Sequence, residues 1–208
     1  MKKLLLASNG SFLISQGYRL LGIPKNRLNI AYITTASKGG ANKGYLERHK
    51  KAMKERGYAF EEIDIEGKNV RELKKIFKGK NVIHVEGGNT FYLLKAMKEY
   101  GVGVLLAKMV NEGMAYVGTS AGAYLACPTV EMSTWRPKRN ERYGLKNFTA
   151  LNLVPFLLKV HYTNDMKGLV KKKIATCAYP VRILRDGQGI LVTGARYQFV
   201  GEREEVKT

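Results

Sequence analysis

The chain has 208 residues, 45% hydrophobic and 10% aromatic, with 36 basic against 17 acidic side chains and a net charge of +19. That content suits one folded core and excludes a disordered chain, and no apolar run is long enough to span a bilayer. The charge permits contact with nucleic acid, but the basic residues lie along helical patterns with no nucleic-acid motif or aromatic-basic stacking beside them. A nucleic-acid partner is therefore not expected, whereas a field favouring an acidic substrate is.

The first residues, Met1-Lys2-Lys3-Leu4-Leu5-Leu6-Ala7, mimic the start of a signal peptide. Polar Ser8-Asn9-Gly10-Ser11 ends the apolar run too soon for one, so Lys3–Ala7 is predicted as a buried first strand. Further short, apolar strands are predicted at Leu28–Thr34, Phe60–Ile65, Asn81–Val85 and Ala115–Val117. Helical patterns fall between them, at Lys43–Arg56, Val70–Phe77, Thr90–Glu99 and Val104–Asn111. Gly57, Gly79, Gly101 and Gly113 follow their C-terminal ends, where a left-handed cap favours glycine. The alternation predicts an α/β fold, three layers deep, with a mostly parallel sheet and helices on both faces.

Pro128–Leu151, rich in Arg, Lys and Asn, is predicted as a long loop. The tail returns to strand patterns at Val181–Leu184, Gly189–Thr193 and Tyr197–Val200, expected as a meander or hairpin closing the sheet. No repeat, linker or low-complexity segment interrupts residues 1–208, which are expected to form one domain. Cys127 and Cys177 lack metal-ligand spacing, which suits a reduced, cytoplasmic protein with incidental thiols. A homodimer is the common prior for soluble oligomers.

Gly118-Thr119-Ser120-Ala121-Gly122 follows the apolar run Met114-Ala115-Tyr116-Val117 and precedes a helical stretch. A serine at such a strand-to-helix turn is a nucleophile elbow, with its hydroxyl presented at the carboxyl end of the strand. Serine needs a base to take its proton. Of the three histidines, His49 lies in a strongly charged helix and is expected to be exposed. His84 lies inside a strand and is expected in the core. His161 follows the strand pattern Leu157–Val160 and enters a polar loop, which makes it the candidate base. Acyl transfer also needs donors for an oxyanion. The Ala121 N–H supplies one, and Gly87-Gly88-Asn89-Thr90, a turn with a helix cap, offers the second.

Gly87-Gly88-Asn89-Thr90-Phe91, Gly118-x-Ser120-Ala121-Gly122-Ala123, Ala126-Cys127-Pro128-Thr129, Ala150-Leu151-Asn152-Leu153 and His161-Tyr162-Thr163-Asn164 occur together and in order. In these five motifs the chain resembles the peptidase E family of α-aspartyl dipeptidases, within a superfamily that includes cyanophycinase. The resemblance runs from about Leu4 to Val192. It implies a class I glutamine-amidotransferase-like (flavodoxin-like) fold and serine hydrolysis of the bond after an N-terminal aspartate, without metal or cofactor. It assigns Ser120 as nucleophile, His161 as base, and Gly88 and Ala121 as oxyanion donors. Asn89 and the loop cation Arg136 are taken as candidate substrate contacts, the latter for an aspartyl carboxylate.

Three positions depart from the family pattern. The family's third catalytic member is an acid in the loop about fifteen residues after the serine, where this chain has Trp135. Glu131 and Glu141 are the acids between Ser120 and His161. Glu131 is taken as the candidate third member, with Asp165 and Asp186 more distant. Glu86 stands where relatives tend to carry a small residue, and a carboxylate facing the oxyanion site would oppose it. Thr149 replaces a frequent acid. Two alternatives to an aspartyl dipeptidase follow: an impaired homologue acting as a basic binding protein, and an enzyme for a modified-aspartate, cyanophycin-like substrate.

Overall fold

The structure is a computed structural model that describes residues 1–40, 43–135, 142–201 and 205–206. Strand β1 (Lys3–Ala7) is followed by helix α1 (Gly10–Ser15), strand β2 (Asn29–Ile33), helix α2 (Gly44–Glu55) and strand β3 (Ala59–Ile63). Next come α3 (Val70–Ile76), β4 (Val82–Val85), α4 (Thr90–Glu99), α5 (Val102–Asn111), β5 (Ala115–Thr119) and α6 (Ala121–Leu125). The chain continues with β6 (Leu157–Lys159), α7 (Lys167–Ile174), β7 (Val181–Ile183), β8 (Gln188–Thr193) and β9 (Arg196–Gly201). The seven-stranded sheet has the order β3-β2-β4-β5-β1-β8-β9. Its first five strands are parallel, and β8 runs antiparallel to both β1 and β9. This is a flavodoxin-like α/β arrangement.

Strand alternation divides the core between the two sheet faces. Leu4, Leu6, Ala31, Ile33, Ile83, Val85 and Tyr116 point to the face covered by α3, α4, α5 and α6. Leu5, Ala7, Ile30, Tyr32, Val82 and Val117 point to the face covered by α1 and α2. The helix starts follow ordinary capping chemistry. Asn69 and Glu72 form a reciprocal capping box at α3, with bonds of 3.0 and 2.8 Å. Gly57, Gly79, Gly101 and Gly113 all hold positive φ, as the pattern of helix ends required.

One part of the tail departs from expectation. The β8–β9 hairpin does close the sheet, but Val181–Leu184 is not part of it. Instead β7 pairs in parallel with β6 in a separate two-stranded sheet, with Lys159 opposite Ile183. Within Pro128–Leu151, the described residues include a short 3-10 turn at Glu131–Thr134 and a bridge between Thr129 and Thr149. Helices α1 and α7 have no counterpart in the sequence pattern. The first has six residues and the second carries a run of lysines, so neither shows a full amphipathic period.

Helix α6 lies close against the sheet. A Cβ at Gly122 would stand 2.0 Å from the Val85 carbonyl oxygen. Gly122→Ala is expected to lower stability by about 1–3 kcal/mol through forced displacement of α6. Urea unfolding checks this, and an unchanged midpoint would contradict the packing described.

Candidate active site

Ser120 lies between β5 and α6 with φ 50° and ψ −107°. A non-glycine residue held there costs on the order of 1–3 kcal/mol and persists only where its surroundings impose it. Here the Ser120 N–H donates to the Ala7 carbonyl at 3.0 Å, and the Ser120 carbonyl accepts from the Tyr124 N–H at 3.0 Å. The turn is thereby fixed to β1 on one side and α6 on the other. Ala121 opens α6, so its N–H has no acceptor within the helix.

His161 follows β6 and also has a positive φ, 53°. Its Nε2 lies 2.9 Å from Ser120 Oγ, and its Nδ1 lies 2.6 Å from Asp186 Oδ1. The parallel β6–β7 pair places these last two residues together. Leu184 N–H donates to the Lys159 carbonyl at 2.8 Å and Tyr162 N–H to the Leu184 carbonyl at 3.0 Å, so the ends of both strands meet. Asp186 accepts from Ser8 Oγ at 2.7 Å. The bond from His161 holds the Asp186 carboxyl below its ordinary range, against the opposing effect of partial burial, with Ser8 and Asn9 assisting. A carboxylate on Nδ1 favours the tautomer that leaves Nε2 free to accept a proton.

The acid beside His161 is thus Asp186, and the expectation for Glu131 is corrected. Glu131 begins the 3-10 turn and its Oε1 lies 3.6 Å from Cys177 Sγ, directed at that thiol and not at the imidazole. Asp186, one of the more distant acids the sequence offers, is brought to His161 by the pairing of β7 with β6, which no local pattern announces.

Gly88 has φ 145°, and a Cβ there would stand 2.3 Å from the Ala36 carbonyl oxygen. The loop it belongs to therefore requires glycine. Asn89 provides the helix cap that the turn pattern suggests. Its Oδ1 accepts from the N–H groups of Phe91 and Tyr92 at 2.9 and 3.0 Å, and its Nδ2 donates to the Gly39 carbonyl at 3.2 Å. Its side chain is used in building the loop and capping α4. Arg136 and Glu141 lie outside the described residues.

Glu86 is buried beneath the site, and its two oxygens are fully engaged. Oε1 accepts from Gly87 N–H at 2.7 Å and from the Thr119 hydroxyl at 2.5 Å. Oε2 accepts from the Tyr32 hydroxyl at 2.5 Å and lies 3.0 Å from His49 Nδ1. Burial alone would raise its pKa, but the bond from His49, the nearby His84 and the Thr119 bond outweigh it and bring the carboxyl to about 2. His49 is correspondingly not the exposed residue expected, its side chain being only 14% exposed. His84 is in the core as expected. Its Nδ1 lies 2.7 Å from the Tyr18 hydroxyl, and burial lowers its pKa to about 4, which keeps it neutral at pH 7.

Ser120, His161, Gly87, Gly88 and Glu86 border a cavity of about 540 Å³ whose opposite wall is α2. Among the described residues no cluster of His, Cys, Asp or Glu is placed to hold a metal ion. Cys127 is buried, which raises its thiol pKa to about 12 and leaves it unreactive.

The depressed Glu86 pKa carries a sign. A folded value of about 2 against an ordinary 4.5 gives stabilisation that is present above about pH 4.5 and lost as pH falls through about 2. Glu86→Gln is expected to flatten the acid limb of stability over that window. At neutral pH it is expected to cost about 1–3 kcal/mol, because it sets an amide nitrogen against donors. Urea unfolding across pH measures both effects, and a variant retaining the wild-type acid limb would contradict them.

Comparison with known proteins agrees with this architecture. Residues 4–200 match peptidase family S51. An uncharacterised peptidase of Pasteurella multocida is 31% identical over 195 residues, covering 92% of this chain and 94% of the relative. A peptidase E of Nostoc is 34% identical over 135 residues, covering 65% and 52% of the two chains. The crystal structure of a candidate peptidase E protein from Listeria monocytogenes superposes with a TM-score of 0.83 at 28% identity, covering 98% of this chain and all of that one. No described helix is long and apolar enough to cross a membrane. From the match over nearly its whole length, the chain belongs to peptidase family S51, the peptidase E family.

Proposed function

We propose that the protein is a serine peptidase that hydrolyses small peptides with an N-terminal aspartate, in the cytoplasm, with Ser120 as nucleophile, His161 as base and Asp186 as the acid that orients it. The observation that carries this reading is the His161 imidazole bridging Ser120 Oγ at 2.9 Å and Asp186 Oδ1 at 2.6 Å. Membership of a peptidase family supports the hydrolytic class, and the resemblance to the aspartyl dipeptidases supports the substrate.

Ser120 Oγ attacks the scissile carbonyl carbon while its proton passes to His161 Nε2. The carbonyl oxygen becomes an oxyanion held by the N–H groups of Ala121 and Gly88. Collapse breaks the C–N bond, and His161 returns the proton to the leaving amine. Water, deprotonated by the same imidazole, then attacks the acyl-enzyme and releases the acid and Ser120. Opposition from Glu86 to the oxyanion is offset, because both carboxylate oxygens are taken up by four hydrogen-bonding partners.

An impaired binding protein rests on a missing acid and on the high positive charge, and Asp186 beside His161 supports the enzyme reading over it. A modified-aspartate substrate would use the same three residues and is separated from the first reading by substrate profiling. With an Asp-Xaa dipeptide, Ser120→Ala is expected to abolish turnover. Asp186→Asn is expected to lower kcat by about 10²–10⁴-fold, and Glu131→Gln to leave it unchanged. Equal turnover by wild type and Ser120→Ala would refute the mechanism, and loss in Glu131→Gln with none in Asp186→Asn would refute the assignment of the acid.

A further inference from the structure

The cavity beside Ser120 has a wall that the motifs do not account for. Five residues of α2 and its C-terminal cap line it: Tyr45, Arg48, His49, Ala52 and Arg56. Their spacing of three and four residues marks one helical face turned towards the site. That face is fixed in place. The Tyr45 hydroxyl donates to the Gly87 carbonyl at 2.7 Å, and His49 Nδ1 lies 3.0 Å from Glu86 Oε2. Both contacts tie α2 to the loop that borders Ser120.

The charges on this wall are one-sided. Arg48 and Arg56 make no ion pair with any described acid. The acids of the same helix are turned elsewhere, Glu47 to Lys50 at 2.7 Å and Glu55 to Lys51 at 3.9 Å. Glu86, the one acid lining the cavity, has both oxygens engaged from within the fold. Two arginines therefore line a cavity that contains the reactive serine, Arg56 with one nitrogen 3.5 Å from the Ala52 carbonyl of its own helix, and a carboxylate is the group such donors recognise in paired fashion.

We infer that the α2 wall is the carboxylate-recognition surface of this active site, with Arg48 and Arg56 as specificity-determining residues that hold a carboxylate of an acidic peptide. This rests on the peptidase reading for its substrate class, but not on turnover. Two carboxylates of a dipeptide have the right chemistry, the side chain of its first residue and its C-terminus.

The test measures binding in a Ser120→Ala background, where nothing is cleaved, by titration calorimetry with Asp-Leu, Asn-Leu and Asp-Leu amide. Adding Arg48→Ala and Arg56→Ala is expected to raise the Kd for Asp-Leu about tenfold or more. The neutral analogue that lacks the recognised carboxylate responds much less, which identifies its source. An unchanged Kd for Asp-Leu, an equal loss for all three peptides, or no binding of any of them would overturn the inference. Arginine-dependent binding together with a wild type that cleaves none of the peptides would overturn the peptidase reading alone. Cleavage by a wild type whose binding ignores both arginines would overturn this inference alone.

Discussion

The end of β1 is the point to which the whole catalytic geometry is tied. The Ala7 carbonyl accepts from Ser120 N–H at 3.0 Å and Ser8 N–H donates to the Gln188 carbonyl at 2.9 Å. The Ser8 hydroxyl donates to Asp186 at 2.7 Å and accepts from His161 N–H at 2.9 Å. Two consecutive residues therefore touch the serine turn, the histidine loop and the acid turn. This is possible because β1 sits between parallel β5 and antiparallel β8. The end of the first and the beginning of the second meet at the same edge of the sheet. An open α/β sheet places reactive groups beyond its strand carboxyl ends for this reason.

Strain and electrostatics are arranged around that junction. Ser120 and His161 both hold positive φ, at 50° and 53°; Ser120 is pinned by backbone bonds on either side, and His161 by its N–H to the Ser8 hydroxyl and by the next N–H, of Tyr162, to the Leu184 carbonyl. Below them, Glu86 brings a full negative charge within one residue of the Gly87–Gly88 loop. Its four hydrogen-bonding partners occupy both of its oxygens and offset that charge. One of them, the Gly87 N–H, orders the loop itself. A residue that looks hostile to acyl chemistry in the sequence is a support for its geometry in the fold.

Much of this was legible in the residues, and the limits have physical causes. The parallel strands and the helices between them announced themselves by short apolar runs ended by glycine. Ser120 was marked by its turn, and His161 by its place at the end of a strand. The acid could be named only as one of several candidates, because its role depends on which strand pairs with which. Asp186 lies beyond His161 in the chain and reaches it through the β6–β7 pair, whose three-residue strands carry almost no periodic signal. His49 misled for a related reason: its neighbours Glu47, Arg48 and Lys50 suggested a solvated face, while the ring itself turns inward to Glu86. Asn89 was the opposite case, a helix cap read from its turn and found there.

The central claim is that Asp186 sets the state of His161. It is tested most directly by NMR of selectively labelled histidine at neutral pH. The neutral His161 ring is expected to carry its proton on Nδ1, facing Asp186, with Nε2 free towards Ser120. Asp186→Asn should shift the ring to the other tautomer, while Glu131→Gln leaves it unchanged. A wild-type ring already protonated on Nε2, or one that responds to Glu131→Gln and ignores Asp186→Asn, would contradict it.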